Sequence, residues 1–192
     1  MTRSAQPWPP VDVEPAVAHP KAPAPGSELG VHFHECFGCG DNLEGGLHLR
    51  STVGEQETVQ SEFVVTAAHQ GAPGLAHGGL LACAFDEALG SAVGNMMRRP
   101  AVTGRLETDF KRPVPVGSTL YITAKLDGMA GRKIYASADG RLNAPDGPLA
   151  VRARALFVIV DFEHFTTHGD ADALKTLSAA RQKVERSWDI NP

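Results

Sequence analysis

The segment "GLAHGGLLACAFDEALGSAVGNMM", residues 74–97, most constrains what this chain can fold into. After Gly78 and Gly79 it consists largely of Leu, Ala and Met, and it has room for about five helical turns before Pro100. Because it is apolar on nearly every face, we expect it to be enclosed on most sides. Its many small residues would let a sheet approach closely. The sequence therefore predicts a buried central helix.

Alternating apolar and polar residues predict strands on both sides of this helix. Two such runs precede it, "GLHLRSTV" and "TVQSEFVV", and four follow it, "RLETDFK", "TLYITAKL", "RKIYASADGRL" and "LAVRARALFVIV". The later runs are separated by short Pro and Gly turns, so we expect antiparallel neighbours: a hairpin before the helix and a meander after it. The predicted fold is α+β, an antiparallel sheet of about six strands wrapped around a long central helix. This is the hotdog architecture.

The remaining segments divide the chain into three parts. Residues 1–30 are rich in Pro and Ala and lack apolar periodicity, so we interpret them as a flexible arm. Residues 31–165 carry the sheet and the central helix. In residues 166–192, Leu174, Leu177, Val184 and Trp188 recur at roughly helical spacing, which predicts an amphipathic C-terminal helix and a tail. A chain of 192 residues supports one sizeable core.

Composition limits the kinds of partner. The net charge of -4 without a basic tract argues against binding to nucleic acid. We find no charge-free apolar run of membrane-spanning length and no signal-peptide pattern, so we expect no membrane insertion. The three cysteines do not suggest a disulfide framework, which fits a reducing compartment. We therefore expect a cytoplasmic protein with a small ligand.

Asp86 and Glu87 are adjacent acids in the middle of the apolar helix. An ionised carboxylate there costs several kcal/mol unless it is paired, hydrogen-bonded or in a wet pocket. Adjacent helical positions point about 100° apart, so the two acids face different surroundings. One interpretation is structural, with an acid that caps backbone donors or pairs with an arginine. The other is catalytic, with an acid that activates water or attacks a carbonyl carbon.

The distance from Gly79 to Asp86 bears on the catalytic interpretation. The free N–H groups at the helix N-terminus suit a carbonyl oxygen that becomes an oxyanion. Gly79 lies seven residues before Asp86, which is about 10 Å along the helix axis and too far for both to act on one carbonyl. Two antiparallel copies of the helix would bring the N-terminus of one to the acid of the other. Catalysis therefore predicts a dimer.

Four motifs occur in an order that resembles a known family. They are "CFGCG" with "GLHL", "HQGAPGLAHGGLLACAFDEALG", "TGRLETDFKRPVPVG" and "GRK". With them, residues 35–160 resemble the PaaI-like hotdog acyl-CoA thioesterases, in particular the branch that includes the human carboxyl-terminal modulator protein. The resemblance implies hydrolysis of an acyl-CoA to free acid and CoA, without metal or organic cofactor, by a homodimer or a dimer of dimers.

The resemblance also implies roles for single residues. Asp86 matches the catalytic carboxylate, and the Gly79 N–H would polarise the thioester carbonyl. His77 would shape the turn, and Thr103 would orient the water or the acid, although Thr103 is equally explained as the first residue of a strand. The residues implied in substrate binding, chiefly through the CoA phosphates, lie beside the helix N-terminus and in two turns: Gly78, Lys111, Arg112, Pro113, Gly131, Arg132 and Lys133.

Two alternatives to a thioesterase remain at this stage. A hotdog dimer could bind an acyl-CoA without turnover, as a sensor or scaffold. A hydratase is the weaker alternative, because hydratases of this fold pair an acid with a histidine that this helix lacks. An Asp86→Asn variant separates hydrolysis from binding.

The segment "HFHECFGCG" raises the question of a metal. His32, His34, Cys36 and Cys39 are residue types that bind zinc in tetrahedral sites. The four lie too close together in the sequence for the usual two-knuckle arrangement, and similar lead-ins occur in the resembling family without metal. We therefore expect no metal site, and we interpret Cys83 as a small core residue.

Overall fold

The computed structural model describes residues 7–170 and 172–175. The fold is α+β, as predicted, with a large antiparallel sheet and a central helix. A short 3₁₀ turn lies at Ala67–His69. The elements are β1 (Glu28–Leu29), β2 (Arg50–Val53), β3 (Val59–Val64), β4 (Gln70–Ala72), β5 (Leu75–Ala76), α1 (Gly78–Met97), β6 (Ala101–Phe110), β7 (Thr119–Ala130), β8 (Lys133–Leu142), β9 (Leu149–Ile159) and α2 (Phe162–His168).

The large sheet has seven antiparallel strands in the order β1-β2-β3-β7-β8-β9-β6, and β4 pairs with β5 in a separate ribbon. The strands predicted from alternation are all present, with "GLHLRSTV" forming a strand only from Arg50. The prediction of one meander after the helix is wrong for β6. Because β3 and β8 occupy the two edges of β7, β6 lies beside β9 instead. β6 is consequently an edge strand of ten residues.

The helix α1 packs one face on the sheet. Its buried residues recur at spacings of three and four, which is the pattern of a single helical stripe: Leu81, Ala84, Phe85, Ala88, Leu89, Ala92, Val93, Met96 and Met97. The helix approaches β8 closely at Gly140, where an added Cβ would lie 2.5 Å from Cζ of Phe85. A side chain at position 140 would therefore push the helix away from the sheet.

The opposite face of α1 is less buried than predicted. Asp86, Glu87 and Gly90 are half-buried and Gly94 is exposed, so the single chain does not enclose the helix on most sides. Cys83 is also half-buried, and it packs against the core. The single chain thus leaves a strip of small and acidic residues on α1 partly open to solvent.

Part of the segment predicted to be a flexible arm contacts the sheet. The Trp8 indole N–H donates to Asp127 Oδ2 at 2.9 Å, and its ring meets Tyr135 edge-on with centroids 5.5 Å apart. Glu14 and Met129 exchange two backbone hydrogen bonds of 2.8 Å. These contacts fasten part of the segment to the sheet. The domain boundary at residue 30 stays a prediction.

The chain divides by its contacts into two compact units between Ile159 and Val160. The second unit contains α2, and residues 172–175 are also helical. The predicted amphipathic helix includes Leu174, which is half-buried, but Leu177, Val184 and Trp188 lie outside the described residues. None of the described helices combines the length and hydropathy that a bilayer crossing requires.

Candidate functional site

Asp86 lies on α1 opposite the edge strand β6. The Thr103 hydroxyl donates a hydrogen bond of 2.8 Å to Asp86 Oδ1. The pairing of β6 with β9 shifts register between Thr103 and Arg105, which is a β-bulge at Gly104. A Cβ on Gly104 would lie 3.2 Å from Val158 Cγ2, so glycine suits this close approach. Since a bulge re-aims the adjacent side chain, this local irregularity directs Thr103 toward the acid.

The surroundings of Asp86 make its carboxylate more basic than usual. Burial is the main cause that raises the pKa of this group, and the charge of Glu87 raises it further. The hydrogen bond from Thr103 acts in the opposite direction. Within residues 7–170 and 172–175, no lysine or arginine forms an ion pair with Asp86. The structural interpretation in which this acid pairs with an arginine therefore finds no support in this part of the chain.

The N-terminus of α1 is capped by a side chain. His77 is the N-cap residue, and its Nδ1 accepts the N–H of Gly79 at 2.9 Å. Both residues are exposed. The donor predicted to polarise a thioester carbonyl is therefore engaged by His77 in the single chain. A carbonyl oxygen can receive this N–H only after the imidazole moves.

The two basic turns lie at opposite ends of one chain. Lys111 and Arg112 follow β6, and their backbone N–H groups both donate to Ala150 O, near the start of β9. Arg132 lies in the tight turn between β7 and β8, where its carbonyl accepts the N–H of Ile159, the last residue of β9. Ten strand residues span about 33 Å. The single chain therefore does not gather these cations around one ligand.

The other predicted site residues follow the same division. A Cβ on Gly78 would lie 3.4 Å from Cζ of Phe110, so the helix N-terminus lies near the Lys111 end of β6. Thr103 pairs with Phe157, near the opposite end. Pro113 and Gly131 are exposed, each within its own turn, and Gly131 has φ of +59°. The residues predicted for the site thus fall into two groups in one chain, one at each end of β6.

Glu87 faces away from Asp86, toward the loop that precedes β2. Its Oε1 lies 3.3 Å from His32 Nδ1, and its Oε2 lies 3.4 Å from Cys36 Sγ. His32 Nδ1 is also 3.1 Å from Cys39 Sγ. Sequence reasoning placed His32, Cys36 and Cys39 near one another but missed Glu87. The only signal for it was a second acid on an apolar helix.

The cluster of these four side chains shows opposing electrostatic effects. Burial raises the pKa of the Cys36 thiol, and it does the same for Cys39. Burial also acts to raise the pKa of Glu87, but hydrogen bonds from His32 and the two thiols outweigh it, so the Glu87 pKa is lowered. The surroundings therefore shift the two adjacent carboxylates in opposite directions, with the pKa of Asp86 raised and that of Glu87 lowered.

A cleft of about 360 Å³ lies elsewhere, between the start of β2 and the turn before β4. Its lining includes Leu47, Arg50 and His69. None of the site residues predicted from sequence lines it. The cleft of the single chain and the two groups of predicted site residues at the ends of β6 are therefore separate features.

Comparison with known proteins shows which families and proteins part of this chain resembles. Residues 73–141 match the thioesterase superfamily. Acyl-coenzyme A thioesterase THEM4 of Bos taurus is 40% identical over 98 residues, which are 51% of this chain and 39% of that protein. THEM4 of Xenopus laevis is 33% identical over 93 residues, covering 46% of this chain and 39% of that protein. The chain thus spans about two fifths of the length of these curated relatives.

Solved structures share the fold. A thioesterase superfamily protein with 33% identity gives a TM-score of 0.51 over 57% of this chain and 53% of its own. The E. coli PaaI protein from the phenylacetic acid degradation operon gives 0.54 at 20% identity, covering 60% of this chain and 81% of its own. Residues 73–141 thus match the thioesterase superfamily, the chain is similar over part of its length to THEM4, and its fold is the hotdog fold that it shares with the PaaI protein.

Proposed function

We propose that this protein is an acyl-CoA thioesterase in which Asp86 is the catalytic carboxylate. The observation that carries the proposal is the hydrogen bond of 2.8 Å from Thr103 to a half-buried Asp86. This bond orients one carboxylate oxygen, and burial makes the group a stronger base. The names of the THEM4 relatives supply the substrate class.

The proposed reaction consumes one water and one thioester. In one route Asp86 takes a proton from water, whose oxygen attacks the carbonyl carbon. In the other, Asp86 itself attacks and forms an anhydride that water then opens. In both routes the carbon–sulfur bond breaks, the CoA sulfur leaves and takes a proton, and the acyl group leaves as the free acid. The geometry of Asp86 and Thr103 suits either route.

The proposed oxyanion donor is the Gly79 N–H of a second copy. Within one helix, Gly79 and Asp86 are separated by about 10 Å along the axis. In addition, His77 Nδ1 holds this N–H at 2.9 Å. We therefore propose that the exposed His77 ring rotates when substrate binds, which frees the donor for the developing oxyanion.

The edge strand β6 supports an antiparallel homodimer. A ten-residue edge strand presents unpaired backbone groups on its outer side, which another chain can satisfy. Antiparallel pairing of two β6 strands would place the Thr103 end of one beside the Phe110 end of the other. The two half-sites would then meet: Asp86 and the turn Gly131–Lys133 from one chain, the helix N-terminus, Lys111, Arg112 and Pro113 from its partner. Such a dimer could assemble further into a dimer of dimers.

The cations at this junction suit the phosphates of CoA. Arg and Lys form charge-assisted hydrogen bonds with phosphate oxygens. Arg112, Arg132 and Lys133 are exposed, whereas Lys111 pairs with Asp109 at 3.1 Å. We also propose a cytoplasmic location, which the three free cysteines support.

A dimer that binds acyl-CoA without turnover is the second candidate. The observation that favours it is the His77 cap, because an engaged Gly79 N–H cannot stabilise an oxyanion. In this case the protein would act as a sensor or scaffold. The charges and the dimer would remain the same, but Asp86 would have a structural role.

The deciding experiment measures thiol release from short, long and aromatic acyl-CoAs by the purified protein and by Asp86→Asn. We expect turnover by the parent and a loss of about 10²–10⁴-fold in the variant, with acyl-CoA affinity by calorimetry unchanged. Asp146→Asn, which removes an exposed acid from another turn, is the matched control and should retain full activity. Binding without turnover by the parent would establish the second candidate. Turnover that survives in Asp86→Asn would exclude Asp86 as the catalytic group.

A further inference from the structure

We propose that His32, Cys36, Cys39 and Glu87 together bind one zinc ion, which links the loop before β2 to α1. We call these residues the four-residue cluster. Their potential ligand atoms all lie within 4.8 Å of one another. The loop contributes three of them from a short stretch of sequence, and α1 contributes the fourth from a distant one. The inference concerns structure rather than turnover, so it does not depend on the proposed activity.

The shortest distances within the four-residue cluster are close to those of a tetrahedral site. With bonds of about 2.0–2.3 Å to zinc, neighbouring ligand atoms lie about 3.3–3.8 Å apart. His32 Nδ1 is 3.1 Å from Cys39 Sγ and 3.3 Å from Glu87 Oε1. Glu87 Oε2 is 3.4 Å from Cys36 Sγ. Whichever Glu87 oxygen binds, two edges of the tetrahedron are close to these lengths, and the four ligand atoms all lie within 4.8 Å of one another.

The backbone of the loop is arranged as a cysteine knuckle. The Gly38 N–H donates to Cys36 Sγ at 3.3 Å, a bond that would stabilise a thiolate. The Gly40 N–H donates to Cys36 O at 2.8 Å, which closes the turn. A Cβ on Gly38 would lie 2.4 Å from Glu87 Oε2. The absence of a side chain at Gly38 therefore makes room for Glu87 beside the thiols.

The charges of the donors suit a divalent cation. Zinc binds thiolates, so both cysteines would release their protons to solvent while His32 stays neutral. Two thiolates and one carboxylate would then leave one net negative charge around the ion. Without a cation, burial favours protonated thiols at both cysteines, and the Cys36 thiol then donates its hydrogen bond to Glu87. Solvent reaches the site through His32, whose side chain is 57% exposed, whereas that of Glu87 is 15% exposed.

The position of Glu87 in the structure changes the conclusion about a metal site that was drawn from the sequence. One of the two grounds for expecting no metal was that His32, His34, Cys36 and Cys39 lie too close together in the sequence to form a site. In the structure His34 lies outside the cluster, with Nδ1 3.9 Å from Asp41 Oδ2. Glu87, from α1, takes the place that the sequence assigned to His34. The two ligand sets differ at one position, so they can be told apart by mutation.

The test is made on the full chain with Zn²⁺ and Co²⁺ as probes. We expect one zinc per chain by elemental analysis after purification without chelator. When Co²⁺ replaces zinc, we expect the thiolate charge-transfer bands and visible bands of a tetrahedral site. Glu87→Gln should weaken zinc at least about a hundredfold in a chelator competition, because even neighbours that only support ligands contribute 10–100-fold. His34→Asn is the matched control and should bind zinc like the parent.

Several outcomes would overturn the proposal. A parent without metal, whose cobalt spectrum lacks thiolate bands after reduction, would show that the cluster is only a hydrogen-bond network. Loss of zinc in His34→Asn, with zinc retained in Glu87→Gln, would show that His34 and not Glu87 is the fourth ligand. If Glu87→Gln does not fold, Cys36→Ser and the cobalt spectrum of the parent decide the question. Neither measurement uses acyl-CoA, so a failed zinc site and a failed thioesterase are distinguishable.

Discussion

Removal of the Thr103 hydroxyl should impair catalysis by an amount that follows from the geometry at Asp86. Thr103 donates at 2.8 Å to a carboxylate. A hydrogen bond to a charged group contributes about 1.5–3 kcal/mol, and the lower part of this range applies because Thr103 is exposed in the single chain. We therefore expect a loss of about 1.5–2 kcal/mol in Thr103→Val, which corresponds to a decrease of about 10–30-fold in kcat/KM.

The decrease should appear in kcat rather than in KM, since the hydroxyl acts on the acid and not on the bound substrate. Steady-state thiol release with the best acyl-CoA of the panel measures both constants. Valine keeps the β-branched shape and suits a strand, so the fold of β6 should be preserved. Thr103→Ser keeps the hydroxyl and should remain near the parent, and Thr108→Val controls for loss of another β6 hydroxyl. The reasoning would be refuted by a Thr103→Val enzyme within twofold of the parent, or by Thr103→Ser as impaired as Thr103→Val.

Two further predictions concern the assembly and the sheet. Gly79→Pro deletes the proposed oxyanion donor in the first helical turn, where proline is tolerated, so Asp86→Asn and Gly79→Pro chains should be inactive alone. When the two variants are refolded together, about half of the dimers should contain one chain of each variant, and each mixed dimer has one intact site of two. The mixture should therefore recover about a quarter of the parent activity. No recovery would contradict a site shared between chains. Arg152 donates to both oxygens of Asp139, at 2.7 and 3.0 Å, and holds the Asp139 pKa below its usual value of 3.8. The pair stabilises the folded state above pH 3.8, and this stability is lost as the pH falls through the lowered pKa of Asp139. Asp139→Asn should therefore lower the free energy of unfolding in urea by up to about 1 kcal/mol at pH 7 and by almost nothing at pH 2. An equal difference at both pH values would contradict the assignment.

The helices and strands of this fold were predictable because apolar residues recur at a different spacing in each type of element. Alternation located the strands that follow the helix, and the glycine pair predicted the start of α1 to within two residues, since the helix begins at Gly78 and not after the pair. Such patterns reflect local burial and turn chemistry, which neighbouring residues determine. The order of the strands is a different kind of information. Alternation shows that one face of β6 is more buried than the other, but it does not show which strand β6 pairs with.

The candidate site was predictable only where its residues are close in sequence or on one regular element. The spacing of Gly79 and Asp86 on a helix led to the prediction of a dimer, which stays a prediction, and β6, at the edge of the sheet, is the strand that we propose pairs in it. The contact between Glu87 and Cys36 joins residues 51 positions apart, so no local pattern announces it. The His77 cap was missed for another reason. A histidine before a helix is not among the usual N-cap residues, and its effect on the Gly79 N–H depends on one side-chain rotamer.

Adjacent acids on an apolar helix make physical sense once their directions are known. The turn of about 100° between Asp86 and Glu87 sends one side chain toward the edge strand and the other toward the cysteine loop. Glu87 gains its partners within the chain, and with a bound zinc ion it would hold the middle of α1 against the loop. This anchor would limit rotation of α1 about its axis and so keep Asp86 aligned with Thr103. Asp86, which lacks a cationic partner among the described residues, remains available at the place where a second chain is expected to dock.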